Sequence, residues 1–372
     1  MHFMNLKNWL FVAFTVFAFQ EYAYAQPALT NKLVDTEPIE LYLELTTSIK
    51  KEGKANKSVV AKYFNNPAIA FFRQNPDFDS LRFINNLVFV YSGAVNDSTL
   101  LTKNEEYHLM MKYKANEVII RKSIKKLKKA NINALVKKRL QTFYDKSFNI
   151  DTVSIHYIYL FLDEGNGGYP GHVFNSALQT AYLDNDIIYL VSAHEAYHTV
   201  TNSIFMSKFA HVLNDVGANT VQSNQNLLWY LEIVAEEGIA DLIDKPTLRQ
   251  RKSPLSKDFK KLSSNDDEKS SRKIVLLDSL LNNSKLTGNQ NFLSINNLLE
   301  NGGHIPGRYM ALKIKENGLL GDYLKHTGNP FQFIYNYNDA VGKSTYAPKF
   351  SEKSIQYLKE LEQSLMMSRK SK

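Results

Sequence analysis

Ser192-Ala-His-Glu-Ala-Tyr-His-Thr199 is the stretch from which the rest of the chain can be organised. It contains an H-E-x-x-H pattern at His194 to His198. Residues four apart on a helix sit one above the other, so His194 and His198 present both imidazoles to one point. That geometry suits two nitrogen ligands of a single zinc ion. Glu195 falls on the neighbouring stripe, near enough to reach a water on the metal without binding the metal itself. Zinc lowers the pKa of such a water to about 7, and a glutamate can then take its proton as general base. Apolar residues at 187, 190, 191, 197 and 204 recur at helical spacing, which predicts a buried helix. Polar groups buried in such a helix are costly unless paired or metal-bound, and this weighs against two idle surface histidines.

A second stretch supplies what the first lacks. Trp229-Tyr-Leu-Glu-Ile-Val-Ala-Glu-Glu-Gly-Ile-Ala-Asp241 begins 31 residues after His198. Glu237 and Asp241 are four apart and share a helix face. Glu237 can complete a His-His-Glu set with a fourth position open for water or substrate. Asp241 can accept the outer N–H of a ligand histidine. Glu236 is the rival third ligand; Glu237 is preferred because it stands directly before Gly238 and four before Asp241. Gly238 leaves room for a second helix to approach closely.

The pair H-E-A-Y-H and E-E-G-I-A-D resembles the gluzincin zinc metallopeptidases, and among them the secreted bacterial branches. The motif of that group is H-E-x-x-H followed downstream by E-x-x-x-D or E-G-x-A. The resemblance spans roughly residues 150–245. It implies a Zn2+ cofactor held by His194, His198 and Glu237, Glu195 as catalytic base, and Asp241 supporting a ligand from behind. It also implies a small sheet ahead of the metal helix, whose edge strand pairs with an extended peptide or protein substrate. That strand is expected at about Val173 to Gln179. Gluzincins often draw a donor to the carbonyl oxygen from a segment after the third ligand. Asn301-Gly-Gly-His-Ile-Pro-Gly-Arg-Tyr-Met-Ala-Leu312 fits, with His304, Arg308 and Tyr309 as candidates. The alternative is a glycine-rich helix start with no part in chemistry. His156 and His172 are further possible ligands, or ordinary strand and loop histidines.

Outward from this centre the chain is less specific. Met1 to Ala25 reads as a signal peptide: Lys7, an apolar run from Trp9 to Phe19 too short to span a bilayer, then the A-x-A site Ala23-Tyr24-Ala25. The expected product is exported, periplasmic or secreted, with no membrane span after signal removal. The chain has no cysteine, so disulfides play no part in its stability. Net charge is +8, partly gathered between Lys112 and Lys146. A basic helix can bind nucleic acid or anionic membrane. This segment lacks interleaved aromatics or glycines, so a solvated helix face and no nucleic-acid partner are expected.

Residues 36–95 read as several helices, the first starting near Thr36-Glu-Pro38 with Thr36 as cap. Met110 to Tyr144 reads as one or two long helices. Val153 to Leu162 is rich in β-branched and aromatic residues and reads as a strand. Gly165-Asn-Gly-Gly-Tyr-Pro-Gly171 reads as a turn cluster, with a second strand after it. Lys245 to Lys273, with Pro246 and Pro254, reads as a polar excursion, and Lys353 to Met367 as a closing helix.

These readings predict an α+β, mostly helical fold: a zincin-like core with a small mixed sheet, an active-site helix and a second ligand-bearing helix. The expected division is a signal peptide over 1–25, a helical region over 26–148 and a catalytic region over 149–372. The expected function is zinc-dependent peptide hydrolysis. The alternatives are a zinc hydrolase acting on a non-peptide substrate, and a metal-binding or interaction protein without turnover.

Overall fold

In the computed structural model the described residues are 29–76, 78–94, 104–213, 219–252, 254, 266–282, 295, 298–299, 301–342 and 346–368. The signal-peptide reading of 1–25 lies outside them, as do 253 and 255–265 of the expected polar excursion; the rest of that stretch is largely helical, up to Gln250 and from Asp266. The fold is mostly helical with a mixed four-stranded sheet, as the sequence predicts. The chain forms two compact units: Ala25–Lys137 with Val153–Ala196, and Lys138–Thr152 with Tyr197–Lys372.

The sheet belongs to the first unit. Its strands are β1 (Val34–Asp35), β2 (His156–Leu160), β3 (Asn166–Tyr169) and β4 (His172–Ser176), in the order β1-β2-β4-β3. β1 and β4 run parallel to β2, and β3 runs antiparallel to β4. From Tyr157 to Leu160 and from Val173 to Ser176 every residue is buried, as expected of parallel strands covered on both faces. The expected edge strand at Val173 to Gln179 is corrected here. β4 is interior, and the edge is the glycine-rich β3, which read as a turn because glycines carry no alternation of polar and apolar side chains.

The helices that precede β2 in this unit include α1 (Glu37–Glu52), α2 (Lys57–Phe64), α3 (Pro67–Arg73), α4 (Ser80–Ser92) and α5 (Glu105–Leu127). α1 has acids in its first turn, Lys50 and Lys51 in its last, and Gly53 at φ 70° closing it onto Ile49 O. Thr36 occupies the cap position but its side chain does not cap; Asp35 Oδ1 accepts from Glu37 N instead, at 2.9 Å. Tyr42 of α1 stacks on Phe161 at 4.5 Å and meets Tyr113 of α5 edge-on at 5.7 Å, so aromatic faces join the helices to the end of β2. On the outer surface Lys112, Arg121 and Lys128 pair with Asp163, Glu117 and Glu40, exposed contacts of small energetic weight.

The second unit is helical. Two helices are shared by both units, α6 (Ile132–Leu140) and α8 (Leu190–Leu213), while the short α7 (Ala177–Ala181) follows β4 within the first. α8 starts in the first unit and continues into the second. α9 (Asn219–Gln250), α10 (Asp266–Asn282), α11 (His304–Glu316), α12 (Leu320–Leu324), α13 (Pro330–Val341) and α14 (Glu352–Ser368) complete it. α9 runs through Pro246, where the sequence predicted a break. Proline cannot donate to the preceding turn. Beside it the carbonyl of Ile243 accepts from the Arg139 guanidinium, whose Nε lies 3.1 Å away, and this bond helps to satisfy the disturbed turn. Among the described residues no helix is long and apolar enough to cross a membrane.

Candidate metal centre

Burial picks out one residue in the first half of α8. From Leu190 to Thr201 every residue is buried except Glu195, which is half-buried. A hydrogen-bonded chain fixes the start of this helix against the sheet. Ser192 Oγ donates to Asn175 Oδ1 of β4 at 2.7 Å and lies 3.1 Å from the Tyr159 hydroxyl of β2. The edge strand then lies directly on the helix. A Cβ placed on Gly167 would sit 1.7 Å from the backbone oxygen of Glu195, and one on Gly165 2.7 Å from its carboxylate. At Gly167, where the neighbour is backbone, only glycine permits that approach. The sequence reading missed these two positions; the only signal for them is the glycine cluster some 20 residues ahead of the H-E-x-x-H helix.

On the α9 side, His198 faces two adjacent glutamates. Its Nε2 lies 3.5 Å from Glu237 Oε2, and its Nδ1 lies 3.4 Å from Glu236 Oε1. His304, at the start of α11, places Nδ1 3.1 Å from both Glu237 Oε2 and Asp241 Oδ1. Lys245 stands 3.7 Å from Asp241 and 3.0 Å from Asp244. α11 reaches this position through a glycine crossing: a Cβ on Gly238 would meet Gly307 O at 2.4 Å, and one on Gly307 would meet Val234 O at 2.2 Å. The close approach expected of Gly238 is therefore present, with α11 as its partner.

The charges in this cluster shift one another. Burial disfavours the charged ring of His198, yet the carboxylates of Glu237 and Glu236 hold its pKa well above the ordinary imidazole range. His304 is likewise raised by Glu237 and Asp241 against the pull of burial. Glu232, one turn before Glu236, is buried, and burial together with the Glu236 charge holds its carboxyl well above the usual range, with Lys208 opposing.

The remaining candidates are elsewhere or differently engaged. Tyr309 is buried with its ring 6.3 Å from Tyr337 and the Lys313 ammonium 5.6 Å away. His156 and His172 begin neighbouring strands, stack at 5.5 Å, and each sets Nδ1 2.9 Å from a backbone carbonyl, of Lys32 and of Pro170. Asp241 accepts from His304 at 3.1 Å.

The donor set fits zinc. A ring nitrogen from each of His194 and His198 and a carboxylate oxygen of Glu237 lie within 4.8 Å of one another, and all three residues are buried. Two imidazoles and one carboxylate are the ligand types of a three-residue zinc site with an open fourth position. Bond lengths near 2.0–2.2 Å in a tetrahedron put ligand atoms about 3.3 Å apart, and the His198 to Glu237 separation of 3.5 Å suits that spacing. A family model described as "Putative zinc dependent peptidase (DUF5700)" matches residues 30–346. No curated protein and no solved structure matches the chain.

Proposed function

We propose, since the chain belongs to the DUF5700 family, that it hydrolyses peptide bonds as a gluzincin-type zinc peptidase outside the cytoplasm. The observation that carries this reading is the buried His194, His198 and Glu237 set beside the half-buried Glu195. When bound there, zinc supplies a Lewis acid for the scissile carbonyl and an acidified water as nucleophile. The two histidines and Glu237 orient that chemistry, and the burial around them keeps bulk water away. Glu195 accepts a proton from the attacking water and returns it to the departing amine. His304, held through Nδ1 by Glu237 and Asp241, is assigned to the carbonyl oxygen as it gains negative charge, through the other edge of its ring. Tyr309 packs against Tyr337 and is given no step here. Export rests on Lys7, the apolar run from Trp9 to Phe19 and Ala23-Tyr24-Ala25.

The test begins with zinc content of protein made without a histidine tag. About one zinc per chain is expected, lost in His194→Ala and Glu237→Ala. Glu195→Gln is expected to keep the metal and lose turnover of unfolded protein substrates by a factor of at least about 10². Turnover at the wild-type rate in Glu195→Gln would remove the general-base assignment. A fully loaded wild-type chain inert to peptides, but active on esters or other amides, would move the reading to a non-peptide hydrolase. Inertness to all of them would leave a metal-binding protein without turnover.

A further inference from the structure

Glu236 and Glu237 are consecutive, and they face opposite nitrogens of one imidazole. Glu237 Oε2 is 3.5 Å from His198 Nε2, while Glu236 Oε1 is 3.4 Å from His198 Nδ1. Successive residues on a helix point about 100° apart, so neighbouring carboxylates can bracket a ring that stands between them. The His198 side chain is 10 % exposed, Glu236 15 % and Glu237 9 %. Carboxylates this dry are stable only with a charge or donor close by.

A metal held by His198 would lie on one side of the ring. The Nε2 side holds Glu237, which is shared with His304 and belongs with His194 and His198 to the buried donor set. Glu236 is not in that set and lies on the Nδ1 side. A histidine that binds metal through Nε2 carries its proton on Nδ1, and whatever accepts that proton fixes both tautomer and ring plane. Asp241, the other residue expected in such a role, lies 3.1 Å from His304 Nδ1 and is grouped with His194 rather than with His198.

We infer that Glu236 is the positioning residue for His198: it accepts the Nδ1–H, holds the ring in the Nε2-binding tautomer and raises its basicity toward the metal. This rests on the zinc reading above, and it gives the two adjacent glutamates separate tasks. Glu237 binds and Glu236 aims.

The test compares wild type with Glu236→Ala, Glu236→Gln and Glu237→Ala, using zinc itself against a chromophoric chelator. The expected result is that Glu236→Ala still takes up one zinc but binds it about 10–100-fold more weakly. Glu236→Gln keeps the shape and an accepting oxygen, so it should recover part of that loss. This variant keeps the test informative should Glu236→Ala fold poorly. A second readout is the His198 Nδ1–H resonance of the zinc-loaded protein, expected to shift in Glu236→Gln; a purely structural role for Glu236 would leave it in place. Wild-type affinity in both Glu236 variants, with an unmoved resonance, overturns the inference while leaving the zinc reading intact. Loss of zinc in Glu236→Ala with full retention in Glu237→Ala overturns it too, by making Glu236 the ligand. A wild-type chain that takes up no zinc overturns the inference and the reading beneath it together.

Discussion

Two glutamates stand at the candidate centre, and the molecule holds them by opposite means. Glu195 is set by backbone: the edge strand β3 lies on it at Gly167, as does Gly165 just before the strand, and its side chain stays half-buried. Glu237 is set by charge: His198, His304 and neighbouring carboxylates surround it in a dry helical interior, and a glycine crossing brings α11 close enough to take part. The contrast suits the assigned tasks. A base must meet water and move a proton, whereas a ligand must be still and desolvated.

Substitutions at the glycines can break this comparison. Gly167→Ala should have the largest effect, because the added Cβ falls 1.7 Å from backbone that cannot rotate aside. Overpacking typically costs about 1–3 kcal/mol, and this position should reach or exceed the upper end. A fall in the thermal midpoint with turnover lost but zinc still near one per chain is the expected outcome. Gly238→Ala should come next, at about 1–3 kcal/mol, since Gly307 O lies 2.4 Å from the new Cβ. There zinc affinity should fall, as α11 withdraws His304 from Glu237 and Asp241. If Gly167→Ala releases zinc while Gly238→Ala spares it, the division between the two glutamates is wrong.

Gly165→Ala should be milder for stability and specific for rate. Its Cβ would meet the flexible end of Glu195 at 2.7 Å, so the carboxylate can swing away at little cost to folding. The thermal midpoint should hold while kcat falls about 10-fold or more. Equal losses in both would show that the strand, rather than the base, had moved.

The smallest effect concerns the charged side. Burial holds the Glu232 carboxyl above its usual range. Below the unfolded value of about 4.3 both states keep the proton and the residue has no influence on stability. Above it the unfolded chain ionises first, so stability declines with rising pH until the folded group ionises too. Glu232→Gln removes that slope. In metal-free protein its thermal midpoint should exceed wild type by a few degrees at neutral pH and coincide with it near pH 4. A midpoint unchanged at every pH would show that Lys208 already compensates the buried acid.

The helices were the legible part of this fold. α8 and α9 follow from four-residue spacing, because a repeat of that length is a property of the local chain. β2 and β4 follow from β-branched and aromatic content. β3 did not: glycines in a strand look like a turn unless the helix they lie on is known, and that helix comes some 20 residues later. β1 is two residues whose pairing with Tyr157 and Ile158 is set across the fold, beyond any local pattern. Pro246 marks a helix end only when no side chain can serve the disturbed turn, and Arg139 lies about 100 residues away in sequence. At the centre, the sequence named both Glu236 and Glu237 for a ligand role. Their separation depends on how α9 is rotated about its axis toward His198, which the motif does not encode. Spacing alone offered Asp241 a ligand histidine; its contact with His304 is a further one, and it requires α11 to arrive through the crossing of Gly238 and Gly307.

The contact of Gly167 with Glu195 is made by main chain on both sides, so it does not read which side chain stands at 195. Replacing Glu195 with glutamine should therefore leave the strand seated. On the proposed function such a chain would serve as bait: mixed with exported proteins, it should hold a substrate uncut long enough for crosslinking and mass spectrometry to identify it.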